Sequence, residues 1–546
     1  MPLRSIAFCS NVIVQCGAMG ANLSNLPNKH FDLIVIGGGI TGCGIAREAR
    51  LRGLSVALFE KGDFAGGTSG KTSSLAHGGI RYLAQGAFGL VAESIEERHK
   101  LLQMAPHLVS PLPFLFPIYE GRSRGKTTVQ LGMTLYDKMA GKNALGAYRF
   151  LSPAQTLFLE PNLSGERLRG AALFWDCQMD DARLCLSTLL SAQEMGAEVY
   201  NYTEVIGLIR HGKNICGVRI KEVASGRAYD VDAKVVINAA GVWADSVCKM
   251  EGNYSERVRP TKGIHLVLPK VTEKHAIVLP GQEGRIFFVM PWRDHTLLGT
   301  TDSDYSGSLD QVTSDDDEGE VKSLINETAA FLPIVAQEKV LARFAALRPL
   351  VHGGGANPLA VSRKEKIEWT KGGMLVVIGG KFTLFRKIAE RVIDAVIKAH
   401  PAIQASKRPE TEPLIYGAPT VPIQAYIQQE SKRKDLPVSG ALLEHLIRSY
   451  GTKYQAVLDC ANNDPALLKP MTALGYPILA EVSYAVLHEH ATHLSDFMLR
   501  RTRLAHGRYR NSLPLIQKIV KRMGDALGWR SEQMLKELQL YLTAGL

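Results

Sequence analysis

Two short segments contain residues whose types and spacing could do chemistry. The first is a GxGxxG motif that starts at Gly37, and the second is HGGIRYL at 77–83, which follows the small polar run GTSGKTSS. Glycines at the first spacing permit a tight turn and let a pyrophosphate approach the backbone. The second segment sets Arg81 and Tyr82 beside two glycines, so it could contact a cofactor and an anionic substrate together.

The elements around the first motif must position its glycines. A continuous apolar run, Leu33 to Ile36, precedes it and is typical of a parallel strand buried on both faces. A helix is predicted after it, ending at Gly53, and SVALFE then predicts a second strand ending at Glu60. The helix N-terminus would face phosphates and the acid would bind ribose hydroxyls, so we predict a dinucleotide site. The alternative is a fortuitous glycine turn.

The motif alone does not distinguish NAD from FAD. One complete fingerprint occurs, near the start of the chain, and two later strand–glycine–helix units (AKVVINAAGVWAD and GGMLVVIGGKFT) lack it. A single fingerprint near the N-terminus, with later segments that return to the same domain, favours a tightly held FAD over an exchangeable nicotinamide. Residues 256–305 read as alternating strands, and the pattern beyond a Pro-rich stretch at 401–422 is helical, so an α/β body with a helical C-terminal part is expected.

Composition limits the function classes. The chain has 546 residues, which predicts two or three domains, and a net charge of +11, which suits anionic substrates, a membrane face or nucleic acid. Eight cysteines without CxxC spacing are expected to be buried thiols in a reducing compartment. No segment offers about 18 uninterrupted apolar residues for a span. The densest basic stretch is RRTRLAHGRYR at 500–510, which could serve a membrane surface, a solvated helix face or an intramolecular ion-pair network.

The quoted segments resemble the FAD-dependent glycerol-3-phosphate dehydrogenases, within the wider glycine oxidase and D-amino-acid oxidase-like flavoproteins. Beside the glycine motif and HGGIRYL, the matching stretches are NAAGVWAD, KGIHLVLP, GTTDSDYSG, RFAALRPL, SRKEKIEW, GGKFTLFRKIAE and the C-terminal AEVSYAVLHEHATHLSDFMLRRTRL. The resemblance covers roughly residues 31 to 510. Members often carry a lysine directly before the LAHGG segment, whereas this chain has Ser74. No EF-hand extension follows the helical part.

The resemblance implies a fold and a division of the chain. The fold class is α/β (α+β), with a discontinuous Rossmann-like FAD domain, an antiparallel-sheet substrate domain and a C-terminal helical domain. We expect a disordered extension at 1–30, an FAD domain over 31–400 interleaved with a substrate domain (about 110–165 and 256–345), a linker at 401–422 and a helical domain at 423–546. A weak signal or transit peptide is the alternative for the extension.

The resemblance also implies an activity, which is oxidation of sn-glycerol 3-phosphate to dihydroxyacetone phosphate through FAD. Electrons would pass to ubiquinone or menaquinone at the cytoplasmic face of the cell membrane, where the enzyme would lie as a peripheral or monotopic protein. A homodimer is possible within the family, and no nucleic-acid partner or metal is expected. The alternatives are an oxidase that uses oxygen, an amine oxidase of the same fold and, more remotely, an RNA-modifying flavoprotein that the positive charge would permit.

The site residues follow from the matched motifs. A substrate phosphate calls for paired donors, which predicts Arg81, Arg348, Arg363 and Lys381, with Tyr82 beside them. His265 is the expected base for the hydroxyl proton, with a core histidine as its alternative. Cofactor contacts are expected from Gly37, Gly39, Gly42, Glu60, Thr68, Ser69, Ser73, His77, Gly78, Gly79, Val205, Gly241, Trp243, Gly380, Lys381, Phe382 and Thr383.

Overall fold

The protein is represented by a computed structural model that describes most of the chain. The described residues are 23–83, 86–121, 125–252, 255–281, 285–314, 317–352 and 364–543, without the side chain of Arg81. Residues 23–30, which are expected to be disordered, are instead ordered. Leu23–Asn28 form a 3₁₀ helix, and its Leu26 is fully buried against the first sheet.

The strands of the described residues are numbered in chain order. They are β1 (His30–Ile36), β2 (Val56–Phe59), β3 (Leu75–Ala76), β4 (Val109–Tyr119), β5 (Arg149–Leu151), β6 (Leu168–Met179), β7 (Glu198–Tyr200), β8 (Thr203–His211), β9 (Asn214–Glu222), β10 (Ala228–Asn238), β11 (Val258–Leu268), β12 (Ala276–Pro280), β13 (Ile286–Trp292), β14 (His295–Gly299), β15 (Ser303–Asp304), β16 (Ala342–Val351), β17 (Lys366–Trp369) and β18 (Leu375–Ile378).

The α-helices of the same residues are numbered likewise. They are α1 (Ile40–Leu51), α2 (Ile80–Leu83), α3 (Phe88–Met104), α4 (Lys126–Ala140), α5 (Pro153–Leu159), α6 (Asp181–Glu194), α7 (Ala244–Lys249), α8 (Glu318–Ala329), α9 (Phe385–Ala399), α10 (Ile423–Glu430), α11 (Gly440–Tyr450), α12 (Tyr454–Asp459), α13 (Leu479–His488), α14 (Leu494–Asp496), α15 (Leu513–Leu527) and α16 (Ser531–Thr543).

The first sheet holds the glycine motif. Its strands run in the order β17-β18-β10-β1-β2-β7, with β18, β10, β1, β2 and β7 parallel, while β9 and β8 extend the sheet from β10. Leu33 and Val35 belong to the core cluster that includes α1, α6 and α9, whereas Ile34 and Ile36 belong to the cluster on the other face. Burial on both faces explains why residues Leu33 to Ile36 of β1 are apolar without interruption.

The second sheet is mostly antiparallel. Its order is β15-β11-β14-β13-β12-β4-β6-β3, β16 pairs with β11, β5 pairs with β6, and the β12–β4 pair is parallel. The sheet includes β6, which lies beyond the ranges expected for the substrate domain. These two sheets and the helical C-terminal part confirm the predicted fold class.

Residues 501–507 of the basic stretch are buried, whereas Arg508 is exposed. Both Arg500 and Arg501 form ion pairs with Asp63, and Arg503 pairs with Asp181. Burial opposes ionisation of Asp63, but the charges of the two arginines outweigh burial and lower its pKa to about 2. Of the three readings of this stretch, the ion-pair network is therefore the one that the contacts of Arg500, Arg501 and Arg503 support.

Two further features of the described residues concern the environment of the protein. No helix among them combines the length and apolar character needed to cross a bilayer. Cys43, Cys177, Cys185 and Cys248 are buried free thiols, and Cys216 and Cys460 are half-buried. The expectation of buried thiols therefore fits four of the described cysteines, and the half-buried Cys216 and Cys460 differ from it.

Candidate functional site

A cavity of about 670 Å³ extends from the glycine motif to the second sheet. Its lining includes Glu60 at the end of β2, Gly380 after β18, and His265 and Arg348 from β11 and β16. The carboxyl ends of the parallel strands therefore face a patch of the antiparallel sheet. In open α/β sheets, ligands bind at this end of the strands.

The three motif glycines are required for different reasons. Gly37 has φ +109°, and a Cβ on it would lie 2.7 Å from the Ala239 carbonyl oxygen. A Cβ on Gly42 would lie 1.9 Å from the Gly37 carbonyl oxygen, so α1 can pack on the turn only without a side chain there. Gly39 is the residue before α1, and a Cβ on it would meet only Ser69 Oγ, at 3.1 Å. The backbone of Gly39 thus borders open cavity.

Glu60 is held at the end of β2 by two backbone amides. Its carboxylate oxygens accept hydrogen bonds from Gly38 N–H (2.7 Å) and Gly62 N–H (2.9 Å). Burial raises the pKa of Glu60, although both amides favour the charged form. Trp243, Gly241 and Val205 also line the cavity, and their expected contacts with the cofactor stay predictions.

The loop after β2 connects the nucleotide end with the second sheet. Ser69 Oγ accepts from Ile40 N–H (2.9 Å) at the start of α1, and Thr68 Oγ1 donates to the Leu347 carbonyl (2.6 Å). Ser73 Oγ lies 2.8 Å from His265 Nε2. Thr68, Ser69, Ser73 and His77 all line the cavity.

Gly78 and Gly79 are required for close packing, and the expected contact of their backbone with the cofactor stays a prediction. A Cβ on Gly78 would lie 2.2 Å from Tyr136 Oη, and its N–H donates to Asp176 Oδ1 at 3.0 Å. Gly79 has φ +83°, and a Cβ on it would lie 2.4 Å from the Tyr82 ring. Neither glycine is part of the lining, whereas Tyr82 is.

The segment after β18 brings a lysine and a helix start to the cavity. Lys381 Nζ donates to the His77 carbonyl and lies 5.6 Å from the Tyr82 ring centroid. Burial lowers the pKa of Lys381 to about 7. Thr383 Oγ1, just before α9, is buried without a hydrogen-bond partner among the described residues. Gly380, Phe382 and Thr383 line the cavity beside it.

His265 is buried in the middle of β11. Its ring stacks on Phe344 (centroids 5.1 Å apart), and it is only 3% exposed. Burial and then the positive charge of Arg348 lower the pKa of His265 to about 3, so the imidazole is neutral at physiological pH. A neutral ring at the cavity wall can accept a proton, although a pKa of about 3 makes it a weak base.

Arg348 and Arg285 converge on one residue of the second sheet. Arg348 donates to Thr300 Oγ1 (3.0 Å) and pairs with Asp302 (2.9 Å), while Arg285 donates to the Thr300 carbonyl (3.3 Å) and pairs with Glu327 (2.6 Å). Both guanidinium groups line the cavity. The sequence reasoning missed Arg285, because one arginine at a strand start carries no local signal.

The remaining predicted residues divide into two groups. Gly42 lies behind the glycine turn and acts through packing. Arg363 and the side chain of Arg81 lie outside the described residues, so their expected contacts with a substrate phosphate stay predictions. The structure thus brings together Tyr82, His265, Arg348 and Lys381 from four distant segments.

The donor set fits a flavin dinucleotide. The amide-lined start of α1 and the side-chain-free surface of Gly39 suit a pyrophosphate, and the carboxylate of Glu60 suits a ribose. The Thr383 hydroxyl has no hydrogen-bond partner among the described residues, so it is available for a second polar contact with the cofactor. Arg348 and Arg285 then supply paired donors for an anion at the far end.

Comparisons with known proteins match both parts of the chain. Residues 32–381 match a family model described as FAD dependent oxidoreductase (DAO), and residues 411–534 match one described as the C-terminal domain of alpha-glycerophosphate oxidase. "Glycerol-3-phosphate dehydrogenase 2" of Mycobacterium tuberculosis is 34% identical over 529 residues, which cover 95% of this chain and 88% of that protein.

Two further similarities extend over nearly the whole chain. The mitochondrial glycerol-3-phosphate dehydrogenase of Rattus norvegicus is 34% identical over 548 residues, covering 95% of this chain and 74% of that protein. The structure of the glycerol-3-phosphate dehydrogenase of Bacillus halodurans complexed with FAD superposes with a TM-score of 0.78. It is 26% identical, and the match covers 97% of each chain.

Proposed function

The chain belongs to the FAD-dependent glycerol-3-phosphate dehydrogenases, and from this we propose that it oxidises sn-glycerol 3-phosphate to dihydroxyacetone phosphate in the cavity between its two sheets. The observation that carries the proposal is the convergence of a nucleotide-binding turn and paired arginines on one cavity. The buried neutral His265 lies on the wall between these two features.

The nucleotide end would hold FAD. The start of α1 and Ser69 would bind the pyrophosphate, Glu60 the adenosine ribose, and the segment from Gly380 to Thr383 the flavin end. When bound, FAD supplies the acceptor for the hydride that leaves the substrate carbon. The protein contributes position and electrostatics around that carbon.

Arg348 and Arg285 would bind the substrate phosphate. Both are fixed by carboxylates behind them, Asp302 and Glu327, so their donors are held in place before the substrate arrives. Preorganised donors bind a dianion without the entropic cost of ordering long side chains. Lys381, held against the His77 carbonyl, adds a positive charge closer to the reacting carbon.

His265 would accept the proton of the substrate hydroxyl. Its Nε2 already contacts Ser73 Oγ at the cavity wall, so the serine hydroxyl can orient the ring or relay the proton. The low pKa of His265 keeps the ring neutral before the reaction. The positive charge of Lys381 would stabilise the alkoxide that develops as the proton leaves.

We propose a membrane quinone as the electron acceptor and α4 as the membrane-facing surface. On α4, Leu131 is 72% exposed and Leu135 is 37% exposed, one turn apart, while Val129, Met133 and Tyr136 pack on the second sheet. Lys138 and Lys142 are exposed at the end of the helix. Basic residues beside an apolar stripe favour an anionic membrane surface, at about 1 kcal/mol per lysine.

Anaerobic flavin reduction tests the substrate assignment. Purified holoenzyme should lose its yellow colour with sn-glycerol 3-phosphate and keep it with glycine or lactate, because only the first offers a phosphate to the arginines. Bleaching by glycine alone would favour an amine oxidase instead. An oxidase is the second candidate, since the C-terminal match carries that description. Stoichiometric hydrogen peroxide, unchanged by added quinone, would favour it.

A further inference from the structure

Lys71 is a cavity-lining cation that neither the sequence motifs nor the proposed reaction uses. It directly follows the Thr68–Gly70 turn, and its N–H donates to the Thr68 carbonyl (3.1 Å), so its backbone is fixed. Its side chain is half-buried at the cavity wall. The lysine often found in relatives falls three positions later, where this chain has Ser74.

Ser74 does not replace that charge. It is 2% exposed and has φ +53°, and its Oγ accepts a hydrogen bond from Trp292 Nε1 (3.2 Å). Ser74 is not part of the cavity lining, so its side chain serves packing between the loop and β13. A cation in this part of the cavity therefore comes from Lys71.

Lys71 differs from the other described cations of the cavity in that its ammonium group has no polar partner. Each of the others has an acidic or carbonyl partner: Lys61 with Asp310, Arg285 with Glu327, Arg348 with Asp302, and Lys381 with the His77 carbonyl. Within the described residues, Lys71 Nζ has no hydrogen bond or ion pair. A sequestered ammonium without a partner is destabilising unless a ligand supplies the anion.

The surroundings of Lys71 point to the cofactor end. Two residues before it, Ser69 Oγ accepts from Ile40 N–H, which fixes this loop at the positive end of α1. On its other side is Arg500, whose own charge is already paired with Asp63. Burial and then Arg500 lower the pKa of Lys71 to about 8, as expected for an ammonium that has no anion near it.

We propose that the ammonium group of Lys71 is the counter-ion of the FAD pyrophosphate. The inference rests on the assignment of FAD to this cavity. The backbone amides of the glycine turn give the diphosphate hydrogen bonds but no full positive charge, and Lys71 supplies that charge from the facing loop. Ser69 and Lys71 would then contact the same group from one short turn.

The test measures release of FAD from purified holoenzyme after dilution, by the recovery of free-flavin fluorescence. Lys71→Gln should raise the FAD dissociation constant by about 10- to 100-fold, in the range of one charge-assisted contact. Lys71→Arg should stay within about threefold of wild type, because it keeps the charge. The matched control is Lys61→Gln, which removes a cavity lysine that Asp310 already neutralises, and it should change the constant less than Lys71→Gln.

Competition identifies the group that Lys71 contacts. ADP should displace FAD from wild type far better than adenosine does, and Lys71→Gln should lose most of this advantage. The midpoint potential of the bound flavin and the KM for glycerol 3-phosphate should stay unchanged. An unaltered FAD dissociation constant in Lys71→Gln would overturn the inference, as would a change confined to the potential or to KM. Failure of wild type to bind FAD would instead refute the proposed function.

Folding does not confound these measurements. Removing an unpaired, half-buried charge should leave the melting temperature of the FAD-depleted protein unchanged or raise it, since no ion pair is broken. If Lys71→Gln fails to fold, the nearly isosteric Lys71→Met takes its place in the same competition. An ADP advantage over adenosine that is as large in Lys71→Met as in wild type would likewise overturn the inference.

Discussion

Ser73 Oγ lies 2.8 Å from His265 Nε2, and this contact joins the loop after β2 to the middle of β11. The nucleotide-binding sheet and the antiparallel sheet therefore meet at a polar contact inside the cavity. A reacting carbon placed beside this pair has the cofactor loop on one side and the arginine-bearing strands on the other. We therefore expect the reaction to take place where the two sheets meet.

Arg348 is expected to bind the substrate phosphate through paired geometry. Arg348→Lys keeps the charge but loses the planar donor pair, so activity should still fall. Arg348→Ala should lower kcat/KM by about 2 to 5 kcal/mol, the cost of breaking a desolvated charge pair. FAD content should stay normal. Glycerol, which has no phosphate, is the control substrate, and an equal proportional loss on both substrates would assign Arg348 to the flavin or the fold.

The pH profile should depend on the charge of Lys381. Because burial lowers its pKa to about 7, the side chain is charged below pH 7 and neutral above it. An anion-stabilising role is therefore lost as pH rises, and kcat/KM should fall through this range. His265, with a pKa of about 3, should add no acidic limb above pH 5. A kcat/KM that instead rises through pH 7 would show that neutral Lys381 is the base.

Two glycines of the same motif should respond differently to alanine. Gly42→Ala places a methyl 1.9 Å from the Gly37 carbonyl oxygen and should lower the melting temperature of the protein even without FAD. Gly39→Ala meets only Ser69 Oγ in the protein, so the fold should tolerate it while bound FAD is lost. Absorbance at the flavin band and thermal unfolding distinguish the two. Full FAD content in Gly39→Ala would contradict the assignment of the pyrophosphate.

Asp63 should be critical for stability. Asp63→Asn would leave Arg500 and Arg501 buried without their shared carboxylate, which costs about 3 to 5 kcal/mol when a buried pair is broken. We expect a clear fall in the thermal midpoint. Asp230→Asn, which breaks an exposed pair with Arg219, is the matched control and should change little. A similar fall in the thermal midpoint of both variants would show that burial does not determine how much these ion pairs stabilise the protein.

Membrane association should depend on the exposed stripe of α4. Leu131→Asp combined with Leu135→Asp should weaken binding to vesicles that contain anionic lipid, because charge replaces the apolar contact. Leu540→Asp is the control, since Leu540 is 51% exposed on a C-terminal helix outside this surface. Turnover with a soluble electron acceptor should stay unchanged. Equal sedimentation of the double variant and wild type would exclude α4 as the membrane-facing surface.

The sequence predicts those features whose cause is local. The apolar run of β1, the glycine turn and the acid after β2 depend on neighbours within thirty residues, and the structure contains all of them. Arg285 reaches the site only because the register of the second sheet puts its strand beside Thr300. A single arginine at the start of a strand is ordinary in any sequence, so no pattern distinguishes it.

The basic stretch at 500–510 shows that a local charge pattern also fails to predict which distant residues will pair with it. Its composition suits a surface, yet its partners Asp63 and Asp181 lie more than 300 residues earlier in the chain. Pairing at that separation depends on how the C-terminal helices pack, which local composition does not encode. Similarly, the apolar residues of α4 look like core positions, and only the packed structure shows that Leu131 is exposed.

The pairing of Asp63 with Arg500 and Arg501 links the last quarter of the chain to the loop that follows Glu60. This loop cannot swing outward to release a dinucleotide without first parting from the C-terminal helices. Loss of these ion pairs should therefore speed release of the bound cofactor. A cut within residues 401–422 would leave these ion pairs intact, and both fragments should retain the cofactor as one particle.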